Sequence, residues 1–330
     1  MAYDGKVMRL ALQKFEADRQ ERRDRFEQRR ATIFDREPRL KAVDARLRST
    51  ASRIISSALR YGTDPTTAVE ALREENLALQ EEKRILLGQL GLEEDALEEK
   101  PACPLCGDTG YRNGSVCLCL RAYYGREQQR ELSRMLDLGS QSFDTFLTEK
   151  YSEDRMPGKN KTIRQHMEEK VLDTCKEFAW NFGKIPGNLL LFGAPGLGKT
   201  HLSAAIAREV SGKGYSVVYD TAIHVFERFE IQKFSREESE ADADVNRILS
   251  CDLLILDDLG TEMTTAFVQS ALYTIINTRL MEKKSTIIST NLMPSELSQR
   301  YSPQIASRIE GEYERLAFVG EDLRRKNREE

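Results

Sequence analysis

The octapeptide GAPGLGKT at 193–200 constrains this chain more than any other stretch. It matches the pattern G-x-x-x-x-G-K-[ST] in full through Gly193, Gly198, Lys199 and Thr200. The apolar run NLLLF (188–192) enters it and THLSAAIAREV leaves it, giving the strand, loop and helix that the pattern requires. Glycines in such a loop let backbone amides turn inward on phosphate oxygens, and the helix N-terminus adds its dipole. Lys199 is expected to reach the terminal phosphates and the Thr200 hydroxyl to hold Mg²⁺. The stretch from Gly193 through Pro195 and Gly196 to His201 is the expected nucleotide-contacting segment, with His201 itself read as structural.

A loop of this kind needs a sheet to carry it. NLLLF, SVVYD (216–220), DLLIL (252–256), STIIST (285–290) and RLAFV (315–319) are short apolar runs separated by helical stretches. That rhythm predicts an α/β fold with a five-stranded parallel sheet covered on both faces. The run LLILDD delivers Asp257 and Asp258 at a strand's C-terminal end, the edge where open α/β sheets bind ligands. Asp257 is expected to reach Mg²⁺ and Asp258 to polarise an attacking water. The alternative is that the two acids cap the next helix, TTAFVQSALYTIINTRL. Asn291 follows STIIST and is aimed at the same edge.

With 330 residues the chain has room for about two domains. Its formal net charge of -4 excludes gross positive charge as a route to nucleic acid, so any such contact must be a local patch. No secretory signal opens the sequence and no run of about 18 uncharged apolar residues occurs in it, so a cytoplasmic protein with reduced thiols is expected. Nothing in it matches a nuclease site, a serine or cysteine triad, or a sugar-cleaving acid pair.

Four of the six cysteines fall in CPLCGDTGYRNGSVCLC. Cys103, Cys106, Cys117 and Cys119 have the spacing C-x₂-C-x₁₀-C-x-C, with Gly107, Gly110 and Gly114 in the connection. A C-x₂-C turn supplies two thiolates of a tetrahedral site, so structural Zn²⁺ is the expected ligand. An iron–sulfur cluster and uncoordinated or redox thiols are the alternatives. Cys175 and Cys251 sit in apolar contexts and read as core residues.

Upstream lie charge-dense helices. Leu40, Val43, Leu47, Ile54 and Ala58, then Val69, Leu72, Leu79, Leu86 and Leu90, follow the alternation of a coiled-coil seam. Gly62 and Asp64-Pro65 between them predict an antiparallel hairpin, preceded by an arginine-rich helix. The expected divisions are a helical arm (1–100), a cysteine knot (101–125), a helix with the polar linker SEDRMPGKNK (126–160) and an ATPase domain (161–330). In HVFERFEIQKFSR, Phe226, Phe229 and Phe234 mingle with Arg228, Lys233 and Arg236. Such a segment either stacks bases and meets phosphates or is an amphipathic helix with phenylalanines in the core.

LLLFGAPGLGKTHLS, LLILDDLGTE, IISTNL and RYSPQIASRIEGEYE together resemble an AAA+ ATPase over residues 160–325. The resemblance is greatest to the bacterial DnaC/DnaI-type replicative helicase loaders, with IstB-like proteins as relatives. It implies that Asp257 is the Walker B magnesium ligand, Asn291 sensor 1 and Arg308 an arginine finger acting on a neighbouring subunit's ATP. Arg324 takes the place of a sensor 2 arginine. Asp258 departs from the Glu that many AAA+ proteins carry, which favours slow, partner-stimulated turnover. The resemblance further implies an N-terminal arm that grips a hexameric replicative helicase, and an AAA+ domain that handles ATP and single-stranded DNA. An IstB-like helper acting on duplex DNA with a transposase, and a regulatory nucleotide sensor, are the competing readings.

Overall fold

The structure is a computed structural model that describes residues 3–61, 66–135, 140–158, 160–234 and 240–323. It divides into two compact units, residues 15–109 and residues 1–14 together with 110–330. Among the described residues no helix is long and apolar enough to cross a membrane.

The unit 15–109 contains most of α1 (Gly5–Arg36), with α2 (Pro38–Tyr61) and α3 (Thr66–Gln89). Pro38 separates the first two helices, because a proline disfavours helical geometry in the residue before it but suits a first helical position. Arg39 pairs with Glu82 at 2.6 Å and Arg46 with Glu75 at 2.6 Å. Seven residues forward on α2 (39 to 46) match seven backward on α3 (82 to 75), so the hairpin is antiparallel with a heptad step, as the seam predicts. Leu40, Val43 and Leu79 are buried, and Leu47 and Leu72 are half-buried. The seam shifts near its end: Leu87 is fully buried while Leu86 and Leu90 are half-buried. Leu97, on the segment that folds back after α3, joins Leu87, Leu40 and Ile33 in one cluster and selects that face. The side chains of Ile54, Ala58 and Val69 and the turn residues Gly62, Asp64 and Pro65 lie outside the described part.

The second unit opens with the first turns of α1. Asp4 caps that helix, its Oδ1 accepting the Lys6 and Val7 amides at 2.7 and 3.0 Å. Val7 and Ala11 are buried against Tyr124, Lys14 pairs with Glu127 at 2.7 Å, and Asp4 pairs with Arg247 at 2.6 Å. These contacts join residues 1–14 to the sheet-bearing unit, which composition alone does not reveal. After β1 (Tyr111–Arg112) and β2 (Ser115–Val116) come α4 (Leu118–Met135), the short α5 (Ile163–His166), a π-helical turn (Met167–Leu172) and α6 (Asp173–Trp180). The segment read as a plain linker is folded: Arg155 bridges Thr162, and the Met156 amide donates to the Lys161 carbonyl at 3.0 Å.

Then strands and helices alternate: β3 (Leu189–Gly193), α7 (Lys199–Gly212), β4 (Val217–Thr221), α8 (Ala222–Phe234), α9 (Glu240–Ser250), β5 (Leu253–Leu259), α10 (Ala266–Met281), β6 (Ser285–Thr290), α11 (Pro294–Arg300), α12 (Pro303–Glu312) and β7 (Glu314–Phe318). The five strands pair in parallel in the order β4-β5-β6-β3-β7. Strand side chains alternate between faces. Leu189, Leu191, Tyr219, Ile255 and Ile287 pack with Cys175, Leu202 and Ile206 on one face. Leu190, Val218, Leu254, Leu256 and Ile288 pack with Phe226, Ile248, Leu272 and Ile309 on the other. The strands therefore carry short apolar runs rather than a strict alternation of polar and apolar residues, and the loops at the C-terminal ends of β3, β5 and β6 come together.

Candidate nucleotide site

The loop after β3 turns through Gly196 and Gly198, whose φ values of 77° and 85° suit glycine. A Cβ on Gly196 would come within 1.8 Å of Asp322 Oδ1, and one on Gly198 within 2.7 Å of Phe146 Cε2. No larger residue fits either position. Gly198 is the N-cap of α7, so the first residues of that helix, Lys199 and Thr200, face the loop.

Lys199 is 5% exposed, and its ammonium donates to the carbonyls of Gly193 at 2.7 Å and Ala194 at 2.8 Å and to Asn291 Oδ1 at 2.8 Å. An ammonium has three donors, and three oxygens meet them here. Asn291, from the end of β6, is thus brought to the P-loop lysine. The Thr200 hydroxyl donates to Asp257 Oδ2 at 3.2 Å. Asp257 is buried, and its carboxylate also accepts from the Tyr219 phenol at 2.7 Å and from the Ser289 hydroxyl. Burial, and then the adjacent Asp257 carboxylate, push the Tyr219 phenol well above its usual range, so it remains a donor.

β5 carries a bulge at this point. Leu256 pairs with Ile288 and Leu259 with Thr290, so three steps on β5 face two on β6. The extra residue is absorbed where Asp258 takes a left-handed φ of 54°, a region that Asp tolerates better than most side chains. The Asp258 amide donates to Ser289 Oγ at 3.0 Å. The two acids do not cap the next helix: Thr265 does, its hydroxyl accepting the Val268 amide at 3.2 Å.

Lys199, Thr200 and Asn291 line a cleft of about 480 Å³ with Pro195, Gly196, Gly198, His201 and Asp258 on its wall, and Asp257 lies buried against Thr200. Thr145, Phe146, Leu147 and Lys150 supply the opposing wall, and sequence reasoning missed them. His201 explains how that wall is fixed. Its Nε2 lies 2.9 Å from the Ser142 carbonyl and 3.2 Å from Thr145 Oγ1, and its ring meets Phe146 edge-on at 5.5 Å. Tyr151 adds a hydrogen bond to the Leu197 carbonyl at 2.8 Å. Tyr219 and Ser289 were missed as well; each is one polar residue among several in its strand, VVYDT and STIIST, so no local signal singles it out.

Arg308 is not brought to this cleft. It lies on α12, its guanidinium over the Tyr273 ring at 5.3 Å and donating to the Tyr273 hydroxyl at 3.2 Å. Arg324 falls outside the described residues. On α8, Phe226 and Phe229 are buried in the core while Phe234 is 69% exposed. Arg228 pairs with Asp220 at 2.9 Å, Lys233 lies 5.0 Å from the Phe267 ring centre, and Arg236 is outside the described part. The amphipathic reading therefore holds for the first two phenylalanines.

Within the segment 103–119, the sulfurs of Cys103, Cys106, Cys117 and Cys119 lie within 4.8 Å of one another. Thiolates bound to zinc at ~2.3 Å in a tetrahedron stand roughly 3.8 Å apart, so this donor set fits Zn²⁺. The Gly107 amide donates to the Cys103 carbonyl at 2.9 Å and the Cys117 amide to Gly110 at 2.9 Å, closing the turns that present the sulfurs. Asp108 receives the Cys103 amide at 2.8 Å. Cys175 and Cys251 are buried core residues, and burial pushes the Cys175 thiol up, which makes it inert.

Comparison with known proteins agrees with this geometry. The family described as IstB-like ATP binding protein matches residues 162–330. The replicative helicase loader DnaC of Buchnera aphidicola is 27% identical over 133 residues, 40% of this chain and 54% of that protein. The replicative helicase loader DnaI of Bacillus subtilis is 31% identical over 140 residues, 42% of this chain and 43% of that protein. An insertion sequence ATP-binding protein of Sinorhizobium fredii is 33% identical over 104 residues, 32% of this chain and 34% of that protein. The chain thus spans about half or less of the length of these relatives.

Proposed function

This chain belongs to the IstB-like ATP binding protein family, and from that premise we propose that it is an ATP-dependent loader that binds a replicative DNA helicase and delivers it onto single-stranded DNA. The observation that carries the ATPase part is the convergence of Lys199, Asn291 and Thr200 on one cleft, with Asp257 held against Thr200. The relatives named as helicase loaders support the rest.

In this reading Lys199 exchanges its carbonyl partners for phosphate oxygens, and the amides at the start of α7 meet the same anion. Thr200 and Asp257 hold Mg²⁺, which when bound neutralises charge on the β- and γ-phosphates. Asp258 orients and deprotonates the attacking water, and Asn291 positions that water beside Lys199. The aspartate is one methylene shorter than glutamate and sits on a left-handed backbone, so slow turnover is expected. Because Arg308 lies away from its own cleft, its role is to complete a neighbouring subunit's site on self-association. The four cysteines hold Zn²⁺ as a structural ion in the arm that grips the helicase.

A second reading has independent support: the family match and the insertion-sequence relative favour a transposition helper that acts on duplex DNA with a transposase. One assay separates the two. The chain, ATP and a hexameric replicative helicase are mixed with single-stranded or duplex circles, and DNA-bound helicase is counted after gel filtration. The loader reading expects retention on single-stranded circles only with ATP. Selective ATP-dependent binding of the chain to duplex circles, without helicase retention, would replace it with the second reading.

A further inference from the structure

Two hydroxyls behind the metal-binding carboxylate carry more information than their positions in the sequence suggest. Ser289 is fully buried, and its single hydroxyl faces both acids of the β5 bulge. It donates to Asp257 Oδ1 and accepts the Asp258 amide at 3.0 Å. Tyr219, from β4 on the other side of β5, donates to Asp257 Oδ2 at 2.7 Å. The carboxylate is therefore held from both neighbouring strands, one oxygen by each.

The geometry points to Ser289 and Tyr219 as positioning residues that set the affinity of the Asp257–Thr200 pair for Mg²⁺. Ser289 has the additional task of fixing the left-handed backbone of Asp258. This inference rests on the nucleotide-site reading above. A carboxylate with one oxygen tied by Ser289 and the other by Tyr219 cannot rotate freely, so Thr200 and Asp257 remain within 3.2 Å of each other. Without the ties, an acid in an apolar setting would turn to whatever donor remained, and the ordering would have to be supplied when the ion binds. Partners of this kind typically change metal affinity by ~10–100-fold. The two hydroxyls bear on Asp257 and, for Tyr219, on the Thr200 hydroxyl, the groups that hold the ion in this reading. Lys199 is met instead by Gly193, Ala194 and Asn291, so nucleotide affinity in the absence of metal is expected to be independent of both hydroxyls.

The test uses the full chain and a fluorescent ATP analogue, titrated with Mg²⁺ and again with EDTA. Ser289→Ala and Tyr219→Phe are expected to raise the Mg²⁺ concentration needed for half-maximal tightening by about tenfold or more, with EDTA affinity unchanged within about twofold. Ser289→Thr, which retains the hydroxyl, should restore most of the Mg²⁺ response. Tyr219→Phe keeps the ring's packing, so it serves where Ser289→Ala fails to fold. A Mg²⁺ response unchanged in Tyr219→Phe and Ser289→Ala would overturn the inference while leaving the nucleotide site intact. Wild-type binding that is the same with Mg²⁺ and EDTA would overturn this inference alone, whereas no binding of the analogue under either condition would overturn the nucleotide-site reading and this inference with it.

Discussion

In the sheet-bearing unit each central strand buries side chains on both faces, and two large apolar clusters sandwich the sheet. Among the described residues of the unit 15–109, one buried apolar cluster holds Ile33, Leu40, Leu87 and Leu97. Charge does more of the specifying there: Asp44 is buried between Arg30 at 3.0 Å and Arg48 at 2.8 Å, and arginine–glutamate pairs set the hairpin register. Exposed pairs of that kind contribute ~0–1 kcal/mol each, whereas a buried leucine contributes ~1.5–3 kcal/mol. The chemistry that needs fixed geometry lies in the densely packed unit. The thinly packed unit presents long, charged helical surfaces, which suits a part that meets another protein.

The sharpest way to break this comparison is a pair of truncations. Leu254→Ala, a fully buried position near the start of β5, is expected to cost about 4 kcal/mol and to abolish nucleotide binding where the unit no longer folds. Leu87→Ala should cost nearer ~2 kcal/mol, because the smaller cluster can collapse around it. Hydrogen exchange reads the two units separately. Equal costs, or protection lost throughout the chain from Leu87→Ala, would mean that the units are not distinct in the way described. A subtler change sharpens the contrast. Cys106→Ser should remove the single Zn²⁺ expected per chain by atomic absorption, while ATP-analogue affinity stays within about twofold, since the knot shares no residue with the cleft. A large fall in that affinity would tie the knot to the nucleotide site.

How legible each part was in the sequence follows from the same contrast. The strands and the P-loop are contiguous patterns, so NLLLF, GAPGLGKT and LLILDD disclosed both the sheet and the segments that meet at its edge. Phe146 comes to the cleft through a folded-back wall, and Tyr219 and Ser289 come to Asp257 through strand register, neither of which has a local signature. The bulge at Asp258 needs only one extra residue and looks like ordinary strand sequence. On α8, helical period could not say which phenylalanines face inward; Phe226 and Phe229 do, and Phe234 does not. The first fourteen residues resemble the charged helix that follows them. The burial of Val7 and Ala11 against Tyr124 and the pairs Lys14–Glu127 and Asp4–Arg247 assign them to the other unit. That packing also means that a deletion of residues 1–140 would strip α4 and its buried Tyr124 from the sheet-bearing unit, so the arm must be tested within the whole chain.

The most direct test of the loader reading is mass photometry of the full chain mixed with its host's hexameric replicative helicase, with and without ATP, alongside Lys199→Ala. The account predicts a defined complex whose population depends on ATP in the wild type, and no such dependence in the variant, which lacks the phosphate anchor. Absence of a complex under every nucleotide condition, or an ATP response that survives Lys199→Ala, would contradict it.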